Sequence, residues 1–219
     1  MHQTIAPIQE LLRMPAPCPQ PWGLACDGTD LWIGSIETNR LYGVRALQGT
    51  LFEETEAPGR PMGLTVTGDA LRVVMSEGDD GDRYIRRYVM GKDFKSERIA
   101  CPDLTGSFLA YDGDRVFLSQ RYLQRILELD EAGSIQRAIA VPRQITGMVI
   151  VGGRFYAITT VDRESTDYRL LCIDARKDEP EIQELATIPF IARSLGFDGS
   201  KFWTAVPDSN EIVAFAKPD

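Results

Sequence analysis

The sequence predicts an all-β chain, a five-bladed β-propeller of four-stranded antiparallel blades, closed three plus one by an N-terminal strand. Three observations carry this. A turn glycine recurs at Gly28, Gly68, Gly113, Gly152 and Gly199, at intervals of 40, 45, 39 and 47 residues, each about the length of one propeller blade. Every such turn joins two short apolar runs, and a third run follows a polar loop. A fourth run ending in proline closes each repeat but the last, and the missing copy stands at the N-terminus.

The clearest copy is Pro21 to Val44, PWGLACDGTDLWIGSIETNRLYGV. Gly-Leu-Ala-Cys gives a first strand, and Asp27-Gly28 supplies the positive φ of a tight hairpin. Leu31-Trp32-Ile33-Gly34 is the second strand, Glu37-Thr38-Asn39 turns the chain, and Arg40 to Val44 is the third. Later first strands read PMGLT, GSFLA, ITGMV and ARSLG, and later third strands YIRRYVM, RILELD, RLLCID and EIVAFA. Val116-Phe117-Leu118, Phe155-Tyr156-Ala157-Ile158 and Phe202-Trp203-Thr204 are β-branched and aromatic, as half-buried pleated surfaces require.

The fourth strands are TLFEETEAP (50–58), FKSERIACP (94–102), SIQRAIAVP (134–142) and EIQELATIP (181–189). The terminal proline cannot extend the ladder, so the chain leaves for the next blade. PIQELLRMP (7–15) shares Ile-Gln-Glu-Leu with 182–185. Its glutamate and leucine favour helix, but its copy in the repeat argues for strand. Residues 4–15 are therefore expected to pair with 211–217 and remove the free sheet edges. One domain is expected, with blades at about 16–58, 59–102, 103–142, 143–189, and 190–219 plus 4–15. EGDDGD (77–82) reads as a loop.

Composition narrows the function. The 219 residues are 43% apolar and 26% charged, with a net charge of −8, which argues against nucleic acid or an anionic membrane as partner. No window approaches a membrane-spanning apolar run, and no secretory signal is visible. Cys18, Cys26, Cys101 and Cys172 lack metal or redox spacing, so reduced thiols in a cytoplasmic monomer are expected. The single histidine, His2, leaves little scope for zinc sites, Ser-His-Asp triads or Cys-His pairs.

The phrase DGTDLWIGSIETNRLYGV resembles the short repeat of the NHL, strictosidine-synthase-like and gluconolactonase-like propellers. The five-blade count and the PxGL entry resemble glutamine cyclotransferases more closely. These resemblances imply blades rather than a particular chemistry.

Propellers bind ligands where the loops entering first strands meet those joining second and third strands. Aligning the repeats places Trp22, Met62, Ser107, Thr146 and Arg193 at the first position, and Glu37, Glu77, Tyr122, Val161 and Asp208 at the second. Arg60, Arg121 and Arg143 stand close by in sequence. A ring that serves structure alone tends to repeat from blade to blade, as Leu24, Leu64, Leu109, Met148 and Leu195 do. The unlike residues nearer the mouth form a mixed-charge concavity with an aromatic wall, the makeup of a small-molecule site. Trp32 and Trp203 are expected to pack blades instead, and Asp27, Asp112 and Asp198 to form turns at the opposite end.

Two function classes follow. The first is binding of a small molecule or peptide at the mouth, without cofactor or metal. Arg193 would receive an anion, Trp22 and Tyr122 would form apolar walls, and Glu37 or Glu77 would meet an amine or hydroxyl. The second is an enzyme with Glu37 or Glu77 as catalytic carboxylate, its pKa raised by partial burial. The glutamine cyclotransferase resemblance implies a Glu within an early second strand, where this chain has Ile33. The lactonase resemblance implies metal ligands on inner strands, where this chain has leucines and a methionine. EGDDGD offers closely spaced oxygens but lacks the terminal Glu of a twelve-residue calcium loop.

Overall fold

The structure, a computed structural model, describes residues 5–176 and 179–218. His2 lies outside the described residues. The first strand, β1 (Glu10–Pro15), belongs to the last blade. Blade 1 comprises β2 (Pro21–Cys26), β3 (Asp30–Ser35), β4 (Arg40–Arg45) and β5 (Thr50–Glu56). Blade 2 comprises β6 (Arg60–Thr67), β7 (Ala70–Glu77), β8 (Asp82–Val89) and β9 (Phe94–Ala100). Blade 3 comprises β10 (Leu109–Tyr111), β11 (Val116–Gln120), β12 (Arg125–Leu129) and β13 (Ile135–Ala140). Blade 4 comprises β14 (Gln144–Val151), β15 (Arg154–Thr160), β16 (Tyr168–Asp174) and β17 (Glu181–Ile188). Blade 5 runs β18 (Arg193–Phe197), β19 (Lys201–Val206) and β20 (Glu211–Ala216), with β1 outermost. Among the described residues helix is confined to single 3-10 turns at Pro102–Leu104, Arg121–Leu123 and Pro207–Ser209. No helix among them is long and apolar enough to cross a membrane.

The innermost strands close the ring. β2 touches β6 and β18, β10 touches β6 and β14, and β14 touches β18. Their close approach depends on small residues. A Cβ at Gly63 would stand 2.3 Å from the Ser107 carbonyl oxygen, and one at Gly147 2.3 Å from the Ser194 carbonyl carbon. The core lies between facing blades. Trp32, Leu71, Val73 and Tyr88 fill the space between blades 1 and 2, and Trp203, Ile33, Tyr42 and Ile212 that between blades 5 and 1.

The first-turn aspartates act as expected. Asp198 accepts the Lys201 backbone N–H at 2.9 Å and the Trp203 indole N–H at 2.8 Å, and Asp27 accepts that of Trp32 at 3.3 Å. Each carboxylate thus fixes the turn and orients the buried tryptophan of the next strand. Trp32 and Trp203 are 2% and 0% exposed, so both are packing residues.

The N-terminal closure differs in one respect from expectation. Glu10 to Pro15 pair antiparallel with Phe215 to Glu211, but Pro7 bridges in parallel to Thr187 of β17. The Ile8 N–H donates to the Thr187 carbonyl at 2.9 Å, and the Thr187 N–H to the Ala6 carbonyl at 3.0 Å. Ile8 is buried in the blade 4–5 cluster with Tyr156, Phe202 and Phe215. The segment therefore ties blade 4 to blade 5 before it completes the last sheet.

Candidate functional site

The mouth positions coincide with irregularities in the inner strands. The ladder slips between Pro21 and Gly23, between Pro61 and Gly63, and between Ile145 and Gly147, leaving Trp22, Met62 and Thr146 as the extra residues. Blade 5 slips between Arg193 and Gly196, and there Ser194 adopts a φ of 59°. A bulge bends the strand and re-aims its side chain, so residues that would otherwise alternate around the axis are turned by the backbone.

Trp22 is half-buried and packs on the cluster of Phe108, Ile145 and Met148 from blades 3 and 4. It therefore spans the axis from blade 1 to the opposite wall. The Arg193 guanidinium lies over its ring at 4.9 Å, donates to the Tyr168 hydroxyl at 2.6 Å and to the Ala192 carbonyl at 3.0 Å, and is only 6% exposed. Arg121, 7% exposed, donates from Nε to Gln144 Oε1 at 3.1 Å. Burial and the neighbouring charge of Arg193 both pull the Arg121 pKa below its ordinary value. Two buried guanidiniums are thus near enough for the charge of one to act on the other, and among the described residues neither has a carboxylate partner.

Among the described residues, three buried N–H groups at this end have no acceptor: Arg121 Nη2, Arg143 Nε and Arg193 Nε. Arg143 is otherwise held by Asp167, through its carbonyl at 2.7 Å and its carboxylate at 3.0 Å. A buried donor without an acceptor is costly, and more so on a charged group. An arriving anion would relieve that cost.

A cleft of about 600 Å³ opens beside Arg121, between the mouth ends of blades 2 and 3. Arg83, Leu104, Ser107, Gln120, Arg121 and Tyr122 are among its walls. It brings together Ser107 and Tyr122 of the expected residues. Arg60 is exposed at the start of β6, its charge near that of Arg83. Met62 packs half-buried on the blade 2–3 cluster. Thr146 is fully buried, and its hydroxyl returns to the Ile158 carbonyl at 3.3 Å. Asp208 is exposed in the Pro207–Ser209 turn, and Glu37 in the β3–β4 turn.

Glu77 is turned away from the axis. Arg86 on β8 grips it with two bonds, Nε to Oε1 at 2.8 Å and Nη2 to Oε2 at 2.9 Å, and Arg98 on β9 adds a third at 2.6 Å. Burial pushes its pKa up, but the arginine bonds outweigh it and hold the carboxyl below its ordinary value. This is the opposite sign from the one a proton shuttle needs. It also commits the first carboxylate of EGDDGD. Among the described residues no three His, Cys, Asp or Glu side chains are grouped to hold a metal.

Residues missing from the sequence-derived set are Gln120, Gln144, Tyr168, Arg83 and Leu104. One signal pointed toward this region: the third repeat reads Gly106-Ser107-Phe108-Leu109 where the first two read Pro-x-Gly-Leu.

No protein-family model matches the chain, and no curated protein sequence does. Solved structures do resemble it. A glutaminyl cyclase from Myxococcus xanthus superposes with a TM-score of 0.70 at 12% identity, over 96% of this chain and 100% of that one. The PQQ-bound aldose sugar dehydrogenase of Streptomyces coelicolor gives 0.65 at 12% identity, over 95% and 97%. A Bacteroides thetaiotaomicron protein of unknown function gives 0.61 at 13%, over 98% of this chain and 75% of that one. At such identities the likeness is one of fold, and it places this chain among the β-propellers.

Proposed function

We propose that the chain binds a small ligand bearing a carboxylate at the mouth of the propeller. The observation that carries this is the pair of buried guanidiniums, Arg121 and Arg193, whose Nη2 and Nε have no acceptor and which have no carboxylate partner among the described residues. Arginine presents its donors in a planar fork that matches a carboxylate, and it stays charged when buried. The neighbouring half-buried Trp22 and buried Tyr168 keep water from the charge. Binding rather than catalysis is favoured by Glu77, whose carboxylate is already engaged by two arginines. A reaction run by a carboxylate would fall to Glu37, which is exposed and which no hydrogen bond orients among the described residues.

Calorimetric titration with acetate and benzoate tests this. A charge-assisted bond to arginine contributes roughly 1.5–3 kcal/mol, so Arg121→Gln and Arg193→Gln should each weaken binding by about ten- to a hundredfold. Equal affinity in wild type and both variants would overturn the proposal.

A further inference from the structure

One part of the cleft wall beside Arg121, formed by Leu104, Tyr122 and Leu123, is apolar, and the fold takes trouble to keep it so. Gln120, 1% exposed at the end of β11, donates from Nε2 to the Pro102 carbonyl at 2.8 Å, the Thr105 carbonyl at 3.2 Å and Thr105 Oγ1 at 3.0 Å. Its Oε1 accepts from Arg125 Nε at 2.6 Å, and Arg125 Nη2 reaches Asp103 at 3.0 Å. Clamped between these groups, Asp103 and Leu104 adopt φ values of 56° and 51°. Two successive side-chain-bearing residues in the left-handed region are disfavoured and persist only where the surroundings dictate them.

The consequence of that backbone is Leu104 standing 43% exposed on the cleft, with Tyr122 at 66% and Leu123 at 53% also on its walls. Single exposed apolar residues are ordinary. Three around one cleft, next to a buried guanidinium with a free N–H, make an amphipathic receptacle. Asp80, Asp82 and Asp103 line the same cleft, which weakens its hold on any anion and most on a multiply charged one such as phosphate.

We infer that the ligand is an amphipathic monocarboxylate, its carboxylate on Arg121 and an aromatic or branched aliphatic group against Leu104, Tyr122 and Leu123. This rests on the mouth's binding a carboxylate and adds the second half of the ligand. The apolar group gives affinity by leaving water, and the clamped loop holds its wall ready before binding.

Titration of the full chain with acetate, 3-phenylpropionate and 3-phenylpropionamide separates the two halves. The phenyl group, covered on one side, should tighten binding about tenfold over acetate. The amide should bind about tenfold more weakly than the acid. Leu104→Gly suits the left-handed backbone and preserves the fold; it should lose most of the advantage that phenylpropionate holds over acetate. Acetate and phenylpropionate binding alike would overturn the amphipathic ligand and leave the anion site standing. Amide and acid binding alike, or binding of neither carboxylate, would overturn the anion site itself.

Discussion

Replacing Glu77 by glutamine separates a structural carboxylate from a catalytic one. The Glu77 side chain is 9% exposed and the Arg86 side chain 14%, whereas Arg98 is 45% exposed. Breaking a fully buried ion pair by removing one partner costs about 3–5 kcal/mol, because it strands the other charge. Here Arg86 keeps the Ser96 carbonyl at 2.7 Å, glutamine retains one acceptor, and water screens Arg98. About 2 kcal/mol is therefore expected for Glu77→Gln at pH 7, read by urea denaturation. The pH dependence carries a sign. The folded-state pKa lies below the ordinary value, so the stabilisation is complete above the unfolded pKa and is lost as pH falls through the folded one. The difference between wild type and variant should begin to shrink as pH falls below about 4, near the unfolded glutamate pKa, and vanish only below the folded one. A difference under about 0.5 kcal/mol at pH 7, or one that grows on acidification, would refute the reasoning. Carboxylate binding by the variant should match wild type.

Two further outcomes are expected. Removing residues 1–15 uncovers β20 and takes away buried Ile8, so the melting temperature should fall and a synthetic 5–15 peptide should restore it by strand addition; an unchanged melting curve for the truncated chain would contradict the closure. Burial pushes the Cys18 and Cys101 thiols up to about 12 and Cys26 up to about 11, so a thiol-reactive dye at pH 8 should label the native chain slowly and the urea-unfolded chain at once; fast native labelling at Cys101 would contradict its burial.

The blades were legible because each one buries the same face in the same surroundings, so the turn glycines and closing prolines recur. The closure was legible through the Ile-Gln-Glu-Leu copy, but the bridge of Pro7 to Thr187 was not, since a single pairing leaves no pattern. Trp22 and Arg193 stood out because they break repeat symmetry, and the structure sets the Arg193 guanidinium over the Trp22 ring at 4.9 Å. The direction of Glu77 depends on Arg86 and Arg98 facing each other across β8 and β9, which a reading of its own loop does not reveal. Thr146 was expected to line the mouth, but its hydroxyl donates to the Ile158 carbonyl within its own blade. Leu104 was invisible for a different reason. Nothing in Pro-Asp-Leu-Thr announces left-handed backbone, which comes from the clamp of Gln120 and Arg125.

The most direct measurement is anomalous diffraction from crystals soaked in 4-bromobenzoate. The bromine reports the apolar end of the ligand, and its distance from the guanidinium reports the anionic end. The account predicts one bromine peak between Leu104 and Tyr122, with the carboxylate on Arg121, and no peak there in Arg121→Gln crystals. A peak at the Asp-Gly turn end of the axis, or an unchanged peak in the variant, would contradict it.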